Sequence, residues 1–179
     1  HATRDRNNVP VRSSLARVHF STGRLEQRIG LDSEALKSCE AARAELLELV
    51  KLYPEHRLAN QLREELAACH ELAGELLTDL RKPQDGLTAW RDAVTVREEL
   101  ARDNPAVTRY QEALPAAWTR LALLHAAADD RDEATRYARR AEQYWQARPP
   151  ADATGLYDQA RVQALLTASA SSESDGAVS

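Results

Sequence analysis

Leu66, Cys69, Ala73, Leu76 and Leu80, with Leu77 beside them, recur at steps of three and four residues, the spacing that gathers side chains on one face of a helix. The run stops at "RKPQDG", where Pro83 interrupts it, and a second run follows through Leu87, Trp90, Ala93, Val94, Val96 and Leu100 as far as "DNP" at 103–105. Proline cannot continue a helix and turns the preceding residue away from helical dihedrals, so Pro54 and Pro105 are natural stops. Extended along the chain, the pattern predicts seven helices near 13–29, 32–52, 57–80, 84–103, 107–127, 131–147 and 152–169. Pro115 falls inside the fifth and is expected to kink it or delay its start. No segment alternates strictly between apolar and polar residues, so the expected class is all-α.

The helical runs repeat. "LARVHFSTG" (15–23) and "LAACHELAG" (66–74) share Leu, Ala, His and Gly at an offset of 66 − 15 = 51, which also carries Leu36 onto Leu87, Ala42 onto Ala93, Leu49 onto Leu100 and Pro54 onto Pro105. A third copy follows at an offset of 48, taking Leu66 to Leu114, His70 to Trp118, Leu76 to Leu124, Gly86 to Ala134 and Ala93 to Ala141. Each copy reads as two helices. Small residues recur where paired helices must cross, at Gly23, Gly74 and Ala122 in the first helices and at Ala35, Gly86 and Ala134 in the second. Trp90 shares a face with Leu87, Ala93 and Val94 and is expected to be buried between the helices.

The repeat also settles what "CHELAG" (69–74) means. His-Glu opens the H-E-x-x-H zinc signature, but the second ligand position is Gly74, which binds no metal. His19, His70 and Trp118 share one position in the three copies, and a site that accepts either ring is a packing site. A metal or enzymatic alternative would have to use Cys69, His70 and Glu71 with His125 or His19. Cys39 and Cys69 form no C-x-x-C pair and read as small buried hydrophobes. No catalytic set, cofactor or metal is therefore expected.

Composition narrows the class further. The 179 residues are 43% hydrophobic and 29% charged, with a net charge of −4, which gives no reason to expect nucleic-acid binding. The first thirty residues are locally basic, through Arg4, Arg6, Arg12, Arg17, Arg24 and Arg28 against Asp5 and Glu26. No apolar run approaches a membrane span and no signal peptide is recognisable. A chain that opens at His1 and contains no methionine is expected to be a piece of a longer polypeptide, cytoplasmic unless a membrane span lies upstream. Residues 1–12 are expected to be a frayed arm, 13–170 the helical repeat domain with copies near 15–54, 66–105 and 114–148, and 171–179 a small, polar, acidic tail too poor in apolar residues to order itself.

The large ring at His70, the small Ala73 and Gly74, the long Leu77, and then Gly86, Trp90 and Ala93 resemble the tetratricopeptide repeat. Thr22 and Glu26, a three-residue insertion in "QRIGLDSEAL", His125 and Ala138 depart from that pattern. The stretch "GLTAWRDAVTVREELARDNPAVTRYQEALPAAW" and the closing "GLYDQARVQALLTA" are similar to the helical regions that follow the catalytic domain of planctomycete-type serine/threonine protein kinases, which are bacterial. The kinase parts themselves are absent: there is no Gly-rich loop and no D-F-G, and "HRLAN" (56–60) has Leu58 where a catalytic Asp would stand. The resemblance implies a right-handed superhelical array of antiparallel helix pairs. It also implies a non-catalytic module binding a protein or peptide, a regulatory or scaffolding region of a larger protein, with an oligomerising spacer as the alternative. In that family the first helix of each pair lines a concave groove, which carries over to Arg17, Phe20, Arg24 and Gln27, then Glu71, Glu75 and Thr78, then Thr119 and Leu123. Such a groove runs from a basic end to an acidic middle and suits a peptide of mixed charge. Charge reversal at Arg24 and Glu71 is expected to weaken partner binding in a salt-dependent way without changing stability by more than about 0.5 kcal/mol.

Overall fold

The computed structural model describes residues 8–150 and 152–176. Among these there is no strand, and no helix is long and apolar enough to cross a membrane. The chain divides at Asn104 and Pro105 into two compact units. The first holds α1 (Val9–Arg28), α2 (Asp32–Leu52), α3 (Ala59–Asp79) and α4 (Pro83–Asp103). The second holds the short α5 (Thr108–Glu112), then α6 (Leu114–Ala127), α7 (Arg131–Ala147) and α8 (Ala153–Gly176).

Three boundaries differ from the expected ones. α1 starts at Val9, inside the expected arm: the Asn8 side chain accepts a hydrogen bond from the Val11 N–H at 3.4 Å, Pro10 lies in the first turn and Val9 is buried. The fifth predicted helix is broken into α5 and α6 at Ala113. Pro115 has no N–H for the Gln111 carbonyl that a continuous helix would place four residues before it, so α6 starts afresh with the proline in its first turn. The last helix runs to Gly176, beyond the expected 169. Residues 1–7 of the expected arm and 177–179 of the expected tail lie outside the described residues.

The three copies are visible in backbone geometry. Gly30, Arg81 and Asp129 adopt left-handed dihedrals, with φ of 78°, 62° and 59°, and they are spaced by the same 51 and 48 residues as the sequence copies. Each closes the first helix of its pair with the same two bonds. In the first copy the Gly30 N–H donates to Gln27 O (3.0 Å) and the Leu31 N–H to Glu26 O (2.9 Å). Arg81 to Thr78 with Lys82 to Leu77, and Asp129 to Ala126 with Asp130 to His125, repeat that arrangement. This is a Schellman turn, which satisfies the last carbonyls and needs a left-handed residue just past the helix end.

In the first unit α1 packs on α2, α2 on α3 and α3 on α4. The small residues sit at the crossings. A Cβ on Gly23 would stand 3.0 Å from Ala35 O, and one on Gly86 would stand 2.9 Å from Gly74 O. A Cβ on Gly74 would enter the Trp90 indole, 2.6 Å from Nε1, and Trp90 is buried as its periodicity requires. His70 is buried with Nδ1 3.7 Å from Asp92 Oδ2. The third copy uses the same pair of positions differently, with the Arg140 guanidinium 4.4 Å above the Trp118 ring. In the second unit α6 pairs with α7 through buried Ala122 and Ala134, and α8 lies along both. His125 is fully buried, stacked on Tyr137 and bonded from Nδ1 to Asp130 Oδ2 at 2.8 Å. The ring thus ties the end of α6 to the cap of α7.

Two stability changes follow from the turns and crossings. Arg81→Gly and Asp129→Gly should each raise the unfolding free energy by about 0.5–1 kcal/mol in urea titrations, because only a side chain opposes the left-handed backbone there, whereas Gly30→Ala should lower it. Gly74→Ala should destabilise by about 1–3 kcal/mol through overpacking, with much of the loss recovered when Trp90 is made Leu in the same chain. Acid should act through His70. Burial lowers its pKa, Asp92 partly offsets this and Arg43 adds to it. As pH falls below about 6.5, the unfolded chain therefore takes up a proton that the folded chain refuses. The contribution of His70 is intact above that pH and declines below it, and His70→Phe should flatten this part of the stability curve.

Candidate functional site

The first unit contains a cavity of about 380 Å³ in the crease between its two first helices. α1 contributes Ala16, Arg17 and Phe20, and α3 contributes Gln61, Glu64, Glu65, Ala68 and Cys69. Leu46 of α2 and Arg97 of α4 complete the lining. The room comes from Ala68, which occupies in α3 the repeat position that Arg17 occupies in α1. Ala16, Leu46, Ala68 and the Phe20 ring supply the apolar part of the lining, and Arg17, Glu64, Glu65 and Arg97 the charged part.

The polar groups are held by neighbours. Gln61 Nε2 donates to Glu65 Oε1 at 2.9 Å, while Glu65 Oε2 is shielded from solvent and has no hydrogen-bond partner among the described residues. Arg97 grips Glu71 with both ends of its guanidinium, Nε to Oε1 at 2.5 Å and Nη2 to Oε2 at 2.7 Å. Arg17 Nη2 donates to Ser14 Oγ at 3.1 Å and is otherwise exposed. The Cys39 thiol donates to the Cys69 carbonyl at 3.0 Å. The neighbouring Cys39 and burial both push the Cys69 thiol well above its ordinary pKa, so it stays protonated and is a poor nucleophile.

Of the groove residues read from sequence, Arg17 and Phe20 line the cavity. Arg24 is exposed on the same helix. Gln27 Nε2 donates to Glu75 Oε2 at 3.4 Å, which ties α1 to α3. Thr78 bonds back to Gly74 O at 2.8 Å and sits against Gly86 at the crossing with α4. Thr119 and Leu123 belong to the second unit. Thr119 is buried, its hydroxyl donating to Pro115 O at 2.8 Å, and Leu123 is half-buried. Sequence reasoning missed Gln61, Glu64, Glu65, Ala68 and Arg97. Ala68 could have been found by carrying Arg17 forward through the same offset, but Arg97 could not, since it reaches the groove from a second helix. Cys69, His70 and Glu71, adjacent in sequence, point to Cys39, Asp92 and Arg97 respectively, and no three His, Cys, Asp or Glu side chains gather as a ligand set among the described residues.

The Glu71 pairing corrects the expectation that charge can be reversed there freely. Both partners are largely shielded, so Glu71→Lys would leave Arg97 facing a second cation and should destabilise by about 1–3 kcal/mol. Reversal at the exposed Arg24 should stay within about 0.5 kcal/mol. Urea unfolding of Glu71→Gln, Arg97→Gln and the double variant measures the coupling directly, and the double variant should lose less than the two single losses combined.

Comparison with known proteins finds no family model that matches the chain and no curated protein similar to it.

Proposed function

We propose that this chain is a non-catalytic interaction module whose first unit binds a peptide segment of a protein partner in the crease between α1 and α3. The observation that carries the reading is the cavity itself, lined by apolar Ala16, Phe20, Leu46 and Ala68 together with charged groups of both signs. Such a site buries one or two side chains and orients them through a few polar groups. The likeness of the helix pairs to tetratricopeptide repeats supports this assignment, since stacked pairs present first-helix faces to extended peptides. On the same likeness, the module serves as a regulatory or scaffolding region of a larger bacterial protein, such as a serine/threonine kinase. A peptide of mixed charge fits the exposed Arg17 and Arg24 at one side and the carboxylates of Glu64 and Glu65 at the other.

Selection of random peptides displayed on phage, with this chain as bait, provides ligands for the test. Ala68→Trp fills the cavity, and it should weaken the selected peptides by about tenfold or more in fluorescence anisotropy while the melting temperature stays that of the parent. Peptides that bind Ala68→Trp as tightly as the parent would remove the groove from the function.

A further inference from the structure

α1 carries a second apolar face that the fold leaves uncovered. Val11, Leu15, Val18, Leu25 and Ile29 are between 47% and 72% exposed, and with Thr22 they form an unbroken stripe at alternating steps of four and three residues. That spacing is the seam of two packed helices. The stripe is distinct from the groove, which uses Ala16, Arg17 and Phe20.

The internal repeat shows what such a stripe is built to meet. Moved forward by 51 residues, Val11, Leu15, Val18, Thr22 and Leu25 become Leu62, Leu66, Cys69, Ala73 and Leu76 of α3, all between 0% and 3% exposed. α3 is buried on two sides. Gly74 faces Trp90 of α4, its own partner, and Cys69 receives Cys39 of α2, the second helix of the preceding copy. α1 has the counterpart of the first contact, Gly23 against Ala35, and among the described residues no helix makes the counterpart of the second.

Charge narrows the occupant. The only carboxylate of α1 is Glu26, which accepts a hydrogen bond from Ser38 at 2.7 Å. Arg17, Arg24 and Arg28 are exposed, Arg28 directly beside the stripe. A second copy of this helix would bring no unengaged carboxylate to these arginines, whereas an acid-rich helix would. α2 itself is of that kind, with Asp32, Glu34, Glu40, Glu45 and Glu48 against Lys37, Arg43 and Lys51. We propose that the α1 stripe docks an amphipathic, acid-rich helix of a partner polypeptide, built on the α2 pattern of small and leucine side chains along one face.

The probe is a fluorescein-labelled synthetic peptide with the sequence of residues 31–53, added to the whole chain. It should bind saturably, more weakly at higher salt, and shift the backbone amide resonances of 11–29. Leu15→Glu and Val18→Glu, both at exposed positions, should weaken it by about tenfold or more without loss of helical signal, while Leu47→Glu, equally exposed on α2, should leave it unchanged. The idea is overturned by absence of saturable binding, by binding that ignores both stripe variants, or by resonance shifts confined to the α3 stripe, which would mean exchange with the resident α2. Sedimentation showing that a second copy of the chain already covers the stripe would overturn it equally. Loss of phage-peptide binding in Ala68→Trp bears on the groove alone, so the two readings fail separately.

Discussion

The first unit depends on α3 being apolar on two sides at once. One side accepts α4 through a point where no side chain intervenes, Gly74 beneath the Trp90 indole. The other accepts α2 through Leu62, Leu66, Cys69, Ala73 and Leu76. A helix buried on one face can detach alone, but one held on two faces couples its neighbours, so the stabilities of the two hairpins are joined through it. The groove follows from that clamp. With α3 fixed by α2 and α4, the crease it makes with α1 has a set depth, and the small Ala68 keeps it open.

The interaction between copies is held in common while the side chains vary. The buried ring of His70 faces a carboxylate, and the Trp118 ring in the third copy faces a guanidinium. The left-handed turn residue is glycine once, then arginine, then aspartate. What stays constant is the pair of backbone bonds closing each turn and the small residue at each crossing. The turns tolerate different side chains because their geometry comes from carbonyls and N–H groups that every residue except proline has, whereas the crossings admit only small residues.

That distribution explains how much could be read from sequence. Helix positions, the copy register, the small crossing residues and the burial of Trp90 were legible because burial leaves a periodic trace in residue type. The start of α1 was legible too, in Asn8 and Pro10, but those residues lie before the first clear apolar period. The pairing of Glu71 with Arg97 left no such trace. A charged residue on a helix looks the same in sequence whether it points to water or to an arginine across the crossing. The same holds for Glu65, whose shielded oxygen depends on where Gln61 and the neighbouring helices fall. The groove was legible on its α1 side and obscure elsewhere, because four helices contribute to it.

The arginine beside the α1 stripe has a consequence for the chain in solution. Exposed valine, leucine and isoleucine along three turns or more would ordinarily drive helices together without regard to partner. Here Arg28 flanks the stripe, so a second copy approaching along it meets a like charge at that end, as a gatekeeper residue would supply. Its reach is limited by the ions around it, about 10 Å at 0.1 M salt. Added salt therefore weakens this repulsion while leaving the apolar contact of the stripe in place.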